Sequence, residues 1–211
     1  MPTELLIATR NPGKVREVES LLEEYHLKLR SLAEFSAACE VEETGATFAE
    51  NAAIKAQAYA AQTGCWTLAD DSGLEVDALD GAPGVHSARY GGAGASDAAR
   101  VERLLEALSS TGDAGRRARF VCVIAIADAK GKLVNRFIGS CEGRIAHAPR
   151  GTGGFGYDPV FVPEGYKQSF GELPSEVKQN ISHRARALKA ALPFLLEHFR
   201  SASLTCDETD R

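Results

Sequence analysis

The sequence predicts an α/β protein built on a mixed sheet, and three observations carry that reading. Leu5-Leu6-Ile7-Ala8 is a short apolar run, and Asn11-Pro12-Gly13 turns the chain from it into a stretch whose apolar stripe is Val15, Val18, Leu21 and Leu22. That is a strand, a loop and an amphipathic helix. An Ala-rich helical segment from Thr47 to Thr63 then lies between apolar runs at 27–32 and 66–69, which repeats the alternation. Finally, Arg119 to Ala127 and Leu133 to Ser140 read as an antiparallel pair joined through Lys130-Gly131, so parallel and antiparallel strands share one sheet.

In chain order, Leu27 to Leu32 is expected as the second strand. Thr47 caps the helix that follows, with Glu50 completing a capping box and Gly64 ending it. The strand Trp66-Thr67-Leu68-Ala69 is expected to open into a loop at Asp70-Asp71-Ser72-Gly73, because Asp, Ser and Gly are turn residues. A Gly-rich loop from Gly81 to Gly94 leads to a helix from Ser96 to Leu108, and residues 109–117 form a surface connection. Gly151 to Tyr157 is too Gly-rich for regular structure, and Val160-Phe161-Val162 supplies a short strand. A last helical region from about Ser175 to Phe199 is expected to bend or break near Pro193. Residues 1–200 are read as one two-lobed domain, and Ser201 to Arg211, with little to bury, as a disordered tail.

Composition narrows the function. With 211 residues and 44% hydrophobic content the chain can fill a core, and its net charge of -5 argues against a duplex-binding surface, so no nucleic-acid partner is expected. The five cysteines are odd in number and form no C-x-x-C pair, which supports neither a disulfide framework nor a zinc knuckle. No apolar run reaches the roughly 20 residues that span a bilayer, and the first residues lack the basic and apolar regions of a signal peptide. The expectation is a soluble, cytoplasmic protein with no membrane partner.

Five segments carry chemistry. Asp70 and Asp71 are adjacent carboxylates at the edge of a core, which repel and lose solvation unless a cation compensates; strand alternation sends them to opposite faces. Glu42-Glu43-Thr44-Gly45 adds two acids, and with the Asp pair makes an oxygen-ligand set suited to Mg²⁺. Thr9-Arg10-Asn11-Pro12-Gly13-Lys14 lies between the first strand and helix, where backbone N–H groups, the helix dipole and Lys14 favour an anion. The same residues also make an ordinary Asn-Pro-Gly turn, and their spacing is not that of a Walker A loop. Phe155-Gly156-Tyr157-Asp158-Pro159 presents two aromatics and an acid suited to stacking a base, or to anchoring a loop. Lys178 and Ser182-His183-Arg184 form a basic cluster in an acidic protein, able to hold a phosphate or a planar base, or to serve as a surface pair.

Taken together and in order, Thr9-x-Asn11-x-x-Lys14, Glu42 to Gly45, Ala69 to Gly73, Gly81-Ala82-Pro83-Gly84 with Ser87 to Tyr90, Gly153 to Pro159 and Ser182 to Arg184 resemble the motifs of the inosine/xanthosine triphosphate pyrophosphatase family, over about residues 4 to 199. The resemblance implies a long twisted mixed sheet flanked by helices, with two lobes around a central cleft, and a homodimer. It implies a Mg²⁺-dependent enzyme that cleaves ITP, dITP or XTP between the α and β phosphates, cleansing the nucleotide pool. Asp71 would accept the proton of the attacking water and bind metal, with Asp70 and one of Glu42 or Glu43. Thr9, Arg10, Asn11, Pro12, Gly13, Lys14, Lys55 and Ser72 would surround the phosphates. Phe155, Gly156, Tyr157, Asp158, Lys178, His183 and Arg184 would hold base and sugar. Arg10 stands where relatives often have a small residue, so the phosphate loop gains a cation or Arg10 faces solvent.

Overall fold

The computed structural model describes residues 4–92 and 94–199, and the expected tail at 201–211 lies outside them. Six strands form one sheet: β1 (Leu5–Ile7), β2 (Leu29–Ser31), β3 (Trp66–Val76), β4 (Arg117–Ala127), β5 (Leu133–Ile145) and β6 (Phe161–Pro163). Their order is β2-β1-β3-β4-β5-β6. β1 is parallel to both β2 and β3, and the other pairs are antiparallel, so the sheet is mixed. The helices are α1 (Pro12–Leu22), α2 (Phe48–Thr63), α3 (Asp97–Ala107), α4 (Ser175–Ile181) and α5 (His183–His198). No helix among the described residues is long and apolar enough to cross a membrane.

Local signals place most helix ends. Asn11 caps α1, its side chain accepting from the N–H groups of Gly13 and Lys14, and Pro12 follows where its missing N–H costs nothing. Thr47 and Glu50 form both hydrogen bonds of a capping box on α2, and Gly64 closes that helix in the left-handed conformation. Ser96 caps α3 through Ala99 N–H.

Two expectations are corrected. Asp70 to Gly73 are not a loop: β3 runs on to Val76, with Asp70 opposite Ile124 and Asp71 opposite Val123. A full ladder to β4 outweighs the turn preference of these residues. The last helical region breaks at Ser182, not at Pro193. Ser182 is extended and serves both helices, its N–H closing α4 on Lys178 O and its hydroxyl capping α5 at Ala185 N–H. Pro193 removes one backbone donor, yet α5 continues through it.

Side-chain alternation divides the core. One face of β3 and β4 carries Leu68, Cys122 and Ile124 against α1 and α5, and farther along, Leu74 and Phe120 against α3, Phe161 and Phe170. The opposite face carries Ala69, Val123 and Ala125 against the small residues of α2. β1 stops opposite Leu68, so β3 beyond that point has no strand on its β1 side, and a cleft opens at that free edge, off the carboxyl end of a parallel strand. A side chain from either face of β3 can border it. The turn of residues 84–89 packs closely there, since a Cβ on Gly73 would lie 2.5 Å from Gly84 O. On the other side of the sheet, β5 accepts the start of α5 only because residue 139 is glycine: a Cβ would lie 2.2 Å from His183 O.

Candidate active site

The cleft has a volume of about 490 Å³ and is bordered by the β1–α1 loop, α2, β3, the 155–158 loop, α4 and α5. Every residue from Thr9 to Lys14 reaches it, as do Glu43, Lys55, Asp71 and Ser72, and from the C-terminal third of the chain Phe155 to Asp158, Lys178, His183 and Arg184. Segments far apart in the chain therefore converge as their motifs imply. Glu42 is exposed and borders no part of the cleft. Asp70 lies buried behind its wall.

The two aspartates have different surroundings because they face opposite sides of the sheet. On the α2 side, Lys55 Nζ donates to Asp71 Oδ1 and to Glu43 Oε1, both at 3.0 Å. Gly45 fixes this arrangement: its N–H donates to Asn51 at 2.7 Å, and it lies so close to α2 that a Cβ would fall 2.6 Å from Glu50 Cβ. Glu43 is thereby turned inward beside Lys55. Burial pushes the Asp71 carboxyl up from its usual range, with Lys55 opposing, and Asp71 Oδ2 has no hydrogen-bond partner. Burial pulls Lys55 down, but Asp71, Asp70 and Glu43 outweigh it and hold the ammonium charged.

On the α5 side, Asp70 Oδ2 receives Lys14 at 2.9 Å and Arg184 Nη2 at 3.1 Å. Arg184 also reaches Glu17 and Ser72, and Lys178 binds Glu17 at 2.7 Å and Asp158 at 2.6 Å. This is a buried chain of alternating charges, from Lys14 through Asp70, Arg184, Glu17 and Lys178 to Asp158. Burial works against the charged form of Asp70, but Lys14 and Arg184 prevail and hold its carboxyl far below the usual range. Asp70 is occupied by these cations, whereas Asp71 keeps a free oxygen. Glu17 was not among the sequence candidates; an acid three residues after Lys14 on the same helical face was the signal for it.

The phosphate loop also differs in detail from expectation. The N–H groups of Gly13 and Lys14 are taken by the Asn11 side chain, so they are not free for an anion. Arg10 donates to Ala38 O at 2.9 Å, which ties this loop to the segment leading to Glu43. The Phe155 ring lies under Lys178 Nζ at 4.6 Å and against Gly13, where a Cβ would fall 2.8 Å from the ring. A second hollow of about 410 Å³ lies behind Phe155, bordered by Glu17, Phe170 and Lys178.

His183 is buried, stacks on Phe120 with ring centres 4.7 Å apart, and its Nδ1 has no partner. Burial, then the adjacent Arg184 and Lys178 charges, hold the imidazole neutral, well below its ordinary 6.5. A base whose folded-state pKa is depressed is charged in the unfolded chain first, so stability is complete above pH 6.5 and declines below it. Urea unfolding between pH 7.5 and 5 should show this loss, by up to about 1.4 kcal/mol per pH unit, with a shallower slope in a His183→Asn variant. Equal slopes would show that His183 is not the group responsible.

Among the described residues no three His, Cys, Asp and Glu side chains cluster as a metal cage. Asp71 and Glu43 do supply two hard oxygen donors on one wall, with Asp71 Oδ2 unpartnered. That donor set fits Mg²⁺, which takes one or two carboxylates and completes its shell with phosphate oxygens and water.

The Ham1 family model matches residues 5–194 of the chain. A dITP/XTP pyrophosphatase of Desulforamulus reducens is 51% identical over 191 residues, which is 90% of this chain and 94% of that protein. The protein of the same name from Bacillus anthracis is 47% identical, over 88% of this chain and 93% of its own length. Among solved structures, a HAM1 protein from Coxiella burnetii superposes with a TM-score of 0.84 at 43% identity, covering 93% of this chain and all of that one (100%). A nucleoside-triphosphatase / dITP/XTP pyrophosphatase from Mycobacterium abscessus gives 0.73 at 46% identity, covering 90% of this chain and 99% of its own.

Proposed function

The chain belongs to the Ham1 family, and we propose that it hydrolyses the deaminated purine nucleoside triphosphates ITP, dITP and XTP to the monophosphate and pyrophosphate, clearing them from the cytoplasmic nucleotide pool. The observation that carries this reading is the shared cleft, which brings together the open oxygen of Asp71, the Lys14 ammonium, the Phe155–Asp158 loop and neutral His183.

In the reaction, a water oxygen bonds to the α-phosphorus while the bond from that phosphorus to the oxygen bridging the β-phosphate breaks. The proton of the water passes to Asp71 Oδ2, and pyrophosphate leaves. Lys55 holds Asp71 through its other oxygen, which leaves Oδ2 to meet the water. Lys14, with the Thr9 and Ser72 hydroxyls, meets the charge that grows on the departing phosphates. Glu43 and Asp71 would hold Mg²⁺, which when bound supplies positive charge to the phosphate oxygens and acidifies water. Of the four acids implied by the motif resemblance, Glu42 points elsewhere and Asp70 serves Arg184 and Lys14.

Phe155 offers a face for the purine, and donors from His183, Arg184 or the backbone would match the 6-keto group of hypoxanthine and xanthine. Adenine would set its 6-amino group against a donor. Guanine shares the 6-keto group, so its exclusion rests on position 2.

Pyrophosphate release from ITP, ATP and GTP, with Mg²⁺ and with EDTA, tests the reading: turnover should be fast only for ITP with metal. Equal rates on the three nucleotides would reject the specificity, and undiminished turnover in EDTA the metal. We also propose a homodimer, which the motif resemblance implies; Ile138 and Val134 on β5, 65% and 39% exposed, offer apolar surface for a second copy. Sedimentation at monomer mass would reject it.

A further inference from the structure

We infer that Asp97, held in place by Arg100, is a positioning residue that sets where the Phe155–Asp158 loop lies in the cleft and so how tightly the purine is held; this rests on the hydrolase reading above. Asp97 is the first residue of α3, distant in sequence from the loop. Its Oδ2 accepts the N–H of Gly156 at 2.6 Å. Its other oxygen pairs with Arg100 Nη2, and Arg100 Nη1 donates to Ala88 O and Ala95 O, both at 2.8 Å. The carboxylate is therefore anchored before it reaches the loop, and a charged acceptor makes a stronger bond to an N–H than a neutral one.

Three successive loop residues each carry one anchor. Gly156 N–H is held by Asp97, the Tyr157 hydroxyl donates to Ser87 O at 2.9 Å, and Asp158 receives Lys178 Nζ at 2.6 Å. Gly154 and Gly156 have φ of +74° and +62°, so the loop is intrinsically unrestrained. Gly156 has no side chain to pack, which leaves its N–H as its handle. Phe155 lies between the Asp97 and Asp158 anchors, and because Asp158 also takes the Phe155 N–H at 2.8 Å, losing the Asp97 contact loosens the side of the loop that Asp158 does not fix.

A plain helix-terminus role does not account for this contact. An acid in the first turn of α3 favours the helix wherever it points, and Ser96 already caps that helix. That role would change stability without changing substrate affinity.

The test compares wild type with Asp97→Ala, Asp97→Asn and Arg100→Ala by kcat and KM for ITP, unfolding midpoint, and amide exchange of residues 153–158 without nucleotide. Asp97→Ala should raise KM about tenfold with kcat within about twofold, and speed exchange of the loop amides about tenfold. Asp97→Asn keeps an acceptor for Gly156 N–H and should recover most of both effects; Arg100→Ala should fall between. A lower unfolding midpoint with KM and exchange unchanged would overturn the inference, as would an Asp97→Asn variant no better than Asp97→Ala. If wild type does not turn over ITP, the substrate reading fails by itself. Amide exchange still decides the latch, because unchanged loop exchange in Asp97→Ala overturns it with no substrate present.

Discussion

Replacing Asp71 with Asn should lower kcat for pyrophosphate release from ITP by about a thousandfold, while nucleotide affinity changes less than about tenfold. The carboxamide has nearly the shape of the carboxylate and can still meet Lys55, but it takes no proton from water. Lys55 retains Glu43 at 3.0 Å, so the α2 wall stays assembled. The fold loses little, because burial already disfavours the Asp71 charge. Steady-state kinetics with direct measurement of nucleotide binding separates two accounts of the cleft. An enzyme loses turnover and keeps binding. A nucleotide sensor with no chemistry would show the same negligible turnover in wild type and variant, and that result would reject the hydrolase. A variant as active as wild type would remove Asp71 from the role of base and point to another acceptor.

How much of this was legible in the sequence depends on the distance over which each feature is decided. Asn11, Thr47 with Glu50, and Gly64 act within one helical turn, and they mark the helix ends where the structure has them. Asp70 to Gly73 misled because turn-forming residues were weighed locally, whereas β4, the strand that keeps them extended, lies some fifty residues downstream and makes the ladder for reasons unrelated to them. Alternation along β3 was readable, and it explains why one aspartate faces α2 and the other α5. What each then meets was not readable: Arg184 is remote in sequence from both Asp70 and Glu17, and no local pattern encodes such pairs. That Glu43 and not Glu42 meets Lys55 and borders the cleft goes with the close packing of Gly45 against α2, a contact visible only in three dimensions. The ordered motifs told which segments meet, but not which carboxylates stay open to a ligand.

Arg184→Met should destabilise the protein by about 3–5 kcal/mol at pH 7, the cost of taking one cation out of a buried charge network and leaving Asp70 with Lys14 alone and Glu17 with Lys178 alone. Arg184 is 1% exposed and is the joint at which Asp70, Glu17 and Ser72 meet. Methionine fills much of the space of the arginine stem, so the lost packing is small beside the two carboxylates left with one cation each. Acid provides the check. The folded-state pKa values of Asp70 and Glu17 are depressed below 3.8 and 4.5, so the stability they contribute is complete above those values and is lost as pH falls through the lower, folded-state ones. The gap between wild type and Arg184→Met should therefore narrow in urea unfolding at pH 3 relative to pH 7. Adding Asp70→Asn to Arg184→Met removes a buried charge that Lys14 alone must compensate and should restore part of the loss, since the penalty lies in the under-compensated ion more than in the absent bond. A gap independent of pH, with strict additivity in the double variant, would mean that Arg184 stabilises the fold through packing alone.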